Sequence, residues 1–305
     1  MPTPTGQSSG STAVNLSRLP FPDVIATLDH AAIVAEIKAE IIADAPEAAE
    51  ALALESELLT KAVRRFAYRE MNLLARMNDA VRSRLIAFAT GADLDHVCAR
   101  IGVQRLVLVP AGATGPNSPA VMEADEDLRS RALLAWEALS TAGPELAYVF
   151  WARSASGNIR DASCTSPAPC QVVVTVLSRI NAGLADEAML QAVVAAVNAR
   201  NRRPLTDQVV VQACAFVDFS IEADLWFYPG PDAALVMAEA RARLDRYLSD
   251  SFMLGVAVTT SGVIAALKVE GVQNVKLIGL DEDVVVDLTQ AARCTGVVLN
   301  NRGLA

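Results

Sequence analysis

The residue types most often used in catalysis or metal binding are few in this chain and lie far apart. It has two histidines, His30 and His96, and five cysteines. Cys98 follows His96 by two positions, but no further ligand completes the spacing of a zinc site. A catalytic thiol needs a neighbouring base, and the half of the chain that holds Cys164 and Cys170 has no histidine. We therefore expect no metal and no cofactor, and we expect these two cysteines to be small buried apolar side chains.

Two runs of acidic residues also have the chemistry for cation binding or acid–base catalysis. Asp125-Glu126-Asp127 opens a predicted helix, where carboxylates complement the helix dipole, and it lacks the spacing and glycine of a calcium loop. Asp281-Glu282-Asp283 is expected to be solvated, whereas a glycosidase needs two separated acids in a cleft. No glycine-rich phosphate loop occurs. A cytoplasmic α/β enzyme with an unidentified small-molecule pocket is the alternative function, and a ligand-dependent melting shift would reveal it.

The composition favours contact with other protein subunits. Hydrophobic residues make up 52% of the chain and the mean hydropathy is +0.31, but only 5% are aromatic. This is more apolar surface than a compact monomer needs, although an alanine-rich composition would also explain it. The net charge of −9 and pI near 4.9 disfavour nucleic-acid binding. We therefore expect Trp226-Phe227-Tyr228 to lie in a core or interface and not to stack on bases.

The N-terminal residues are polar and rich in turn formers, which predicts a flexible leader over residues 1–18. The leader does not have the pattern of a signal peptide. No apolar run reaches the roughly 20 residues that cross a bilayer, so we expect no membrane contact. The odd number of widely spaced cysteines favours reduced thiols in a protein made in the cytoplasm.

Apolar spacing predicts an extended helical segment over residues 19–105. Asp29 is expected to cap a first helix, and Pro46 to interrupt the chain after it. The first helix carries the apolar series Ile33, Ile37 and Ile41. The second is predicted to be continuous through Leu52, Leu59, Val63, Phe66, Met71, Leu74 and Met77. A third segment, 79–90, is expected to end at Gly91, after which Asp93 caps a short helix.

The rest of the chain is predicted to be a proline- and glycine-rich arm followed by α/β structure. The arm runs through Pro110–Pro119, and a helix is expected from Met122. Helices are then predicted at 144–155, 184–200, 232–250 and 259–268. Strands are predicted at 158–163, 171–177, 208–212, 216–227, 272–278, 283–288 and 295–299. The fold class is therefore α+β, with an N-terminal extended helical segment followed by two small α/β sandwich domains with mixed sheets.

Four short motifs occur in fixed order in the helical segment. They are Leu54-Glu55-Ser56-Glu57-Leu58, Tyr68-Arg69-Glu70, Arg76-Met77-Asn78 and Gly91-Ala92-Asp93-Leu94-Asp95. In order and spacing they resemble the baseplate J-like proteins, wedge components of contractile phage tails and R-type phage-tail-like bacteriocins. Leu19-Pro20-Phe21-Pro22-Asp23-Val24, Arg203-Pro204-Leu205-Thr206-Asp207 and Leu225-Trp226-Phe227-Tyr228-Pro229-Gly230-Pro231 extend the resemblance, which covers roughly residues 14–300.

The resemblance implies a structural protein and not an enzyme. In that family two J-like copies combine with one I-like wedge protein, and their N-terminal helices form a shared bundle that a lysozyme-like W protein also contacts. The C-terminal domains of neighbouring copies pair, so that wedges form a ring around the central hub and rearrange to trigger sheath contraction. The expected location is the tail baseplate of a virion or bacteriocin particle assembled in the bacterial host cytoplasm.

Carried over to this chain, the resemblance implies interface positions and no catalytic residue. The expected segments are a leader (1–18), a bundle segment (19–105), an arm and helix (106–142), a first α/β domain (143–215) and a ring-forming second α/β domain (216–305). Residues 28–90 would form the bundle, and residues 110–119 a hinge. The implied interface or buried polar positions are Glu55, Tyr68, Arg69, Glu70, Arg76, Asn78, Asp93 and Asp95.

Overall fold

Backbone contacts in the computed structural model divide the chain into two units, one within residues 15–104 and one from Arg105 to the C-terminal end. The residues described are 19, 20, 22, 27–113, 115, 117–140, 143–200, 202–230 and 232–304. The predicted leader, residues 1–18, lies outside them.

The first unit is helical. Its helices are α1 (His30–Asp44), α2 (Ala49–Ala53), α3 (Leu58–Arg82) and α4 (Gly91–Ala99), with a 3-10 turn at Pro46–Ala48. Asp29 caps α1 as predicted, because its carboxylate accepts the backbone N–H groups of Ala31 at 2.9 Å and Ala32 at 3.1 Å. Pro46 occupies the first position of the 3-10 turn, where its missing N–H is not needed.

The prediction of one continuous helix through Leu52 and Met77 was wrong. Residues between α2 and α3 leave the helical conformation, with Leu54 and Glu57 both extended. Polar side chains from neighbouring elements bond the carbonyl groups at the end of α2. Lys38 Nζ donates to Leu52 O at 2.7 Å, and Thr60 Oγ1 donates to Ala51 O at 3.2 Å. The break is therefore stabilised by contacts that the local sequence does not show.

The prediction for residues 79–93 also needs correction. Helix α3 runs on to Arg82, and turns follow it to Phe88 in place of a separate helix. Gly91, with φ +54°, is the first residue of α4 and not the end of a preceding helix. Asp93 lies in the first turn of α4 and Thr90 at the cap position. A first-turn carboxylate still complements the helix dipole, which is why Asp93 was mistaken for the cap.

The second unit begins with a small β-arm. Strands β1 (Val107–Val109) and β2 (Val121–Met122) pair antiparallel on either side of the predicted proline- and glycine-rich stretch. The helix predicted from Met122 starts later, as α5 (Asp125–Leu134), because Met122 belongs to β2. The acidic run therefore lies in the first turn of α5, as the dipole argument predicted.

A three-stranded mixed sheet follows. Helix α6 (Glu145–Ala155) precedes β3 (Ile159–Ala168) and β4 (Gln171–Ser178); α7 (Glu187–Val197) then leads to β5 (Gln208–Ala213). The order is β3-β4-β5, with β3 antiparallel and β5 parallel to β4. Strand β3 is longer than predicted, because the hairpin with β4 continues to Ala168. Helix α7 is shorter than predicted, and the carboxylate of Asp186 caps its start by accepting the N–H of Met189.

A second mixed sheet completes the chain. Its elements are β6 (Ala215–Phe227), α8 (Ala233–Ser251), α9 (Thr260–Leu267), β7 (Val272–Ile278) and β8 (Gln290–Leu304). The order is β7-β6-β8, with β7 antiparallel and β8 parallel to β6. Helices α8 and α9 contribute Leu244, Val263 and Leu267 to the core of this sheet. The predicted α+β fold class with mixed sheets is confirmed.

The strand predicted at 283–288 was wrong. Only Val284 pairs there, in an isolated bridge to Val258. Polar side chains turn the backbone on either side of it. Asp283 accepts the N–H of Thr260 at 2.8 Å, and Asp287 accepts the N–H of Thr289 at 2.7 Å. These local bonds compete with a strand ladder, so an apolar run did not become a strand.

The two sheets share a small core at the point where β5 passes into β6. Cys214 is the single residue between the strands, and it is buried with Leu177, Leu254 and Ala291. Polar bonds span the same junction: Asp161 Oδ2 accepts the N–H of Leu254 at 3.1 Å. Burial raises the pKa of Asp161, although the nearby Arg153 opposes the rise. The junction is therefore packed and hydrogen-bonded as an interior is.

A buried ion pair connects the β-arm to α5. Arg131 and Glu123 are only 3% and 6% exposed, and Arg131 donates to both carboxylate oxygens, at 3.1 and 2.6 Å. Glu123 also accepts the N–H of Leu106 at 3.1 Å, next to β1. Removing one partner of a buried pair leaves a charge without compensation and costs about 3–5 kcal/mol.

We therefore predict that Arg131→Met destabilises the chain by about 3–5 kcal/mol. The double variant Arg131→Met/Glu123→Met should recover much of that loss, because it removes the stranded charge. The N–H of Leu106 then lacks its acceptor, and the hydroxyl of Ser154 loses the donor Arg131. Urea unfolding followed by tryptophan fluorescence measures both. A double variant no more stable than the single one would contradict this account.

The thiols differ in accessibility, and one prediction about them was wrong. Cys164 is buried within β3, but Cys170 is exposed in the hairpin turn after it, with φ +62°. Burial raises the pKa of Cys164 to about 12, and Glu145 and Asp207 add to the effect. The proline-flanked sequence is a tight turn, so the side chain at its tip points away from the core.

We therefore predict that iodoacetamide at neutral pH alkylates Cys170 quickly in the native protein. Cys98, Cys164 and Cys214 should react only after unfolding, since all three are buried. Mass spectrometry of labelled peptides measures each site, and Cys170→Ser should abolish the fast reaction. Equally fast labelling of Cys164 would contradict the burial of β3.

Candidate protein-interaction surface

One side of α3 forms the core of the helical unit. Thr60, Val63, Ala67 and Asn78 are buried, and their spacing of three to four residues, with one longer interval, places them on one face. Helix α1, whose Ile33 is also buried, packs against α3. The buried side chains are small, so α1 and α3 approach closely but bury little area per residue.

A second apolar stripe on α3 stays exposed. Leu59, Phe66, Leu73 and Met77 are 39%, 61%, 58% and 57% exposed. Their spacings of seven, seven and four residues keep them in one row, about a quarter of a turn from the buried face. Such a row along several turns is typical of a helix that packs against another helix.

The motif residues of α3 do not share one face. Glu70 lies within the exposed apolar stripe, whereas Asn78 belongs to the buried face. Arg69 and Arg76, seven residues apart, flank the stripe and are exposed. Tyr68 is 49% exposed on the side roughly opposite the stripe. The helix thus presents an apolar row with a carboxylate in it and arginines beside it.

Glu55 contributes to the loop between α2 and α3. Its carboxylate pairs with Arg64 and lies 3.9 Å from Lys38 Nζ. Arg64 also offers its carbonyl oxygen to His30 Nε2 at 3.3 Å. These groups are largely exposed, so the pairs stabilise the loop by about 0–1 kcal/mol each. Their main effect is to orient the loop against α1.

The two acidic motif residues of α4 are placed differently from each other. Asp93 is exposed in the first turn, and Asp95 is partly buried. Both belong to α4, a different helix from the one that carries Tyr68, Arg69, Glu70, Arg76 and Asn78. The sequence interpretation also missed Leu73, and it merged the buried and exposed apolar positions of α3 into one stripe. The seven-residue spacing of Leu59, Phe66 and Leu73 is the signal that separates the two.

Among the residues that the structure describes, no group of three His, Cys, Asp or Glu side chains is arranged to hold a metal ion. Within the same residues, no helix combines the length and apolar character required to cross a bilayer.

Three known domain families match the chain in order. They are the baseplate J-like N-terminal domain over residues 55–112, the baseplate J-like central domain over 140–213 and the baseplate J-like protein C-terminal domain over 219–300. The first match spans α3 and its motifs. The second and third correspond to the two mixed sheets.

A relative and a solved structure extend these matches. Among solved structures, the chain is similar to one in the cryo-EM structure of the anti-feeding prophage baseplate. The TM-score is 0.38 at 12% identity, over 58% of this chain and 44% of that one. A likeness of that size supports no conclusion. Baseplate protein J of Escherichia phage P2 is 43% identical over 288 residues, which cover 92% of this chain and 95% of that protein. The chain therefore belongs to the baseplate J-like protein family, structural proteins of contractile-tail baseplates.

Proposed function

We propose that this chain is a wedge subunit of a contractile-tail baseplate, in a phage or an R-type bacteriocin particle. Two copies join one I-like protein through a shared helical bundle that a W-like protein also contacts. Neighbouring wedges join into a ring around the hub and rearrange to trigger sheath contraction. The particle is assembled in the host cytoplasm, and the role is structural and not catalytic.

The exposed stripe of α3 is the observation that carries this proposal. Leu59, Phe66, Leu73 and Met77 form an apolar row that the helical unit itself leaves uncovered. Fully burying one such side chain contributes about 1.5–3 kcal/mol. A partner helix laid along the row would bury all four and bring its own side chains to the level of Arg69 and Arg76. We assign residues 28–90 to the bundle on this basis.

The motif residues take defined roles in this proposal. Arg69, Glu70 and Arg76 are exposed, and none forms an ion pair with a residue that the structure describes. They are therefore able to select a partner by charge at the edge of the apolar row. Glu55, Tyr68, Asp93 and Asp95 would lie at the periphery of the interface, and Asn78 is a buried polar position of the bundle.

The open edge of β8 supports the assignment of residues 216–305 to contacts between neighbouring copies. Strand β8 runs for 15 residues, Gln290–Leu304. Within the described residues its ladder partner is β6, and Ala291 adds a bridge to Leu254. An uncovered strand edge offers N–H and C=O groups for pairing with another chain. Arg241 Nη1 donates to the carbonyl of Val297 at 3.3 Å, so α8 contacts the edge at that residue. We expect the part of the edge beyond Val297 to form the subunit contact.

The arm between β1 and β2 supports the proposed hinge. The paired strands hold the two ends of the loop, while the described residues between them (110–113, 115 and 117–120) belong to no strand. A hinge of this kind would let two copies of one sequence adopt different conformations, as their different positions in the same wedge require.

The proposal predicts that Phe66→Glu/Leu73→Glu abolishes association and leaves the fold intact. Both side chains are exposed, so the melting temperature of the free chain should hardly change. Wild-type chain co-expressed with the tail proteins encoded beside it should form a complex of two copies with one partner, measured by light scattering. The variant should elute as free chain.

The matched control is Arg65→Gln/Asn72→Glu, on exposed polar positions of the same helix and with the same seven-residue spacing. It changes the net charge by the same two units and should still assemble. Loss of assembly in both variants would point to charge and not to the apolar row. A wild-type monomer that ignores these partners, but whose melting temperature rises with a small molecule, would favour the enzyme alternative.

A further inference from the structure

A cleft of about 580 Å³ lies between the two mixed sheets of the C-terminal unit. Strands β3 and β4 contribute one wall, and α8 with β8 contributes the other. Four arginines line it, against a single carboxylate, Asp245; they are Arg160, Arg179, Arg241 and Arg293. This is an unusual surface for a chain with a net charge of −9.

Backbone irregularities aim side chains into this cleft. In the β3–β4 pair, Ile159 is opposite Ser178 and Asp161 is opposite Leu177, so Arg160 is the extra residue of a β-bulge. In the β6–β8 pair, Thr295 is likewise the extra residue between Cys294 and Gly296. Both bulged residues line the cleft. Bulges redirect side chains and are common beside binding sites.

The turn after β4 adds a strained stretch to the same wall. Asn181 and Ala182 have φ of +53° and +51°, although neither is glycine. Such conformations are costly, and the surrounding structure must maintain them. Gly183, with φ +94°, follows, and a Cβ there would lie 2.7 Å from the ring of Phe252. This turn is therefore held tightly against the far wall.

Three of the four arginines already have a carboxylate partner. Arg179 bonds Asp127 at 2.9 Å, Arg241 bonds Asp245 at 2.9 Å, and Arg293 bonds Asp218 at 2.7 Å. Arg160 is different, because it donates only to uncharged oxygens. Its partners are the carbonyl of Phe252 at 2.8 Å and the carbonyl and hydroxyl groups of Ser249. The positive charge of Arg160 is thus not neutralised by a bonded carboxylate.

Arg160 Nη1 has no hydrogen-bond partner among the described residues. Arg179 Nε has none there either, but it is buried and the side chain must turn before this atom can donate into the cleft. Burial, and after it the like charge of Arg179, lower the pKa of Arg160 from its ordinary value, although Asp127, Asp161 and Asp250 oppose the fall. Two neighbouring guanidinium groups with free donors suit an oxygen anion, which would satisfy the donors and offset the repulsion.

The apolar part of the lining distinguishes between kinds of anion. Leu248, Phe252 and Val258 lie in the same cleft. A free phosphate would leave these apolar side chains exposed to solvent. A peptide can place a carboxylate on the arginines and an apolar side chain on Leu248 and Phe252. The acidic net charge of the chain disfavours a polyanion such as nucleic acid. The volume is sufficient for several residues in an extended conformation.

We propose that this cleft binds an acidic peptide segment of a partner protein, with a carboxylate bonded to Arg160 and Arg179. The inference does not depend on the exposed stripe of α3, which belongs to the other unit.

The test is a fluorescence anisotropy titration of the full chain with the fluorescein-labelled peptide Gly-Leu-Asp-Glu-Leu-Gly amide. We expect saturable binding that weakens as salt rises, and at least about tenfold weaker binding of the Asn-Gln analogue. Arg160→Gln should weaken binding of the acidic peptide by a similar factor. Arg243→Gln is the matched control: it removes the same charge from an exposed position of α8 outside the cleft and should change nothing.

Arg160→Gln also removes hydrogen bonds to backbone carbonyls at the junction between the sheets. A second variant therefore tests the cleft with every arginine in place. Thr295→Glu places a carboxylate at the wall of the cleft and removes no arginine, so it should block the peptide. It loses one exposed hydrogen bond, from the Thr295 hydroxyl to the carbonyl of Phe219 at 3.0 Å, so the melting temperature should change little. The proposal is overturned if the amide analogue binds as well as the acidic peptide, if neither cleft variant weakens binding, or if inorganic phosphate binds and the peptide does not.

Discussion

Helix α3 has more apolar surface than its own unit covers, and the proposed assembly rests on that constraint. Its buried face packs on α1 through small side chains such as Ala67 and Val63. The larger side chains, among them Phe66 and Leu73, lie in a separate row that faces outward. In a monomer these apolar side chains stay in contact with water. In an obligate assembly they would be buried, and such an interface resembles a core divided between chains. We propose that another baseplate subunit covers that row.

The C-terminal unit is built differently, because packed and hydrogen-bonded residues join its two sheets. The two sheets share Cys214, Leu177 and Leu254 in one core, and Asp161 and Arg160 bond across the same junction. Breaking the junction would leave buried donors and a buried carboxylate without partners, which is expensive. The two sheets are therefore joined at this junction, and we propose the loop between β1 and β2 as the hinge and the edge of β8 as the contact between copies.

Much of the fold followed from local patterns in the sequence. Asp29 capped α1, and β7 occupied its predicted residues, because the signals for both are contained within the elements themselves. The predictions were wrong where side chains far away in the sequence determine the backbone conformation. Lys38 and Thr60 stabilise the break between α2 and α3, and Asp283 turns the backbone that was predicted as a strand. The bulge at Arg160 and its cleft depend on strand register, which no local pattern specifies.

The motif residues show the same limit. Tyr68, Arg69, Glu70, Arg76 and Asn78 were recognised as a set by their order in the chain, but helical geometry distributes them around α3. Sequence spacing could place them on one helix, yet it could not tell which positions the rest of the helical unit covers. In the structure Asn78 is buried, whereas Glu70 is exposed within the apolar row.

The most direct measurement is hydroxyl-radical footprinting of the free chain and of the assembled baseplate, read by mass spectrometry at single residues. We expect Phe66, Leu73 and Met77 to be oxidised in the free chain and to be protected from oxidation in the particle. The buried Val63 should be protected in both, and the exposed Leu205 serves as a reference outside the helical unit. Equal oxidation of Phe66, Leu73 and Met77 in both states would contradict the claim that α3 is an interface helix.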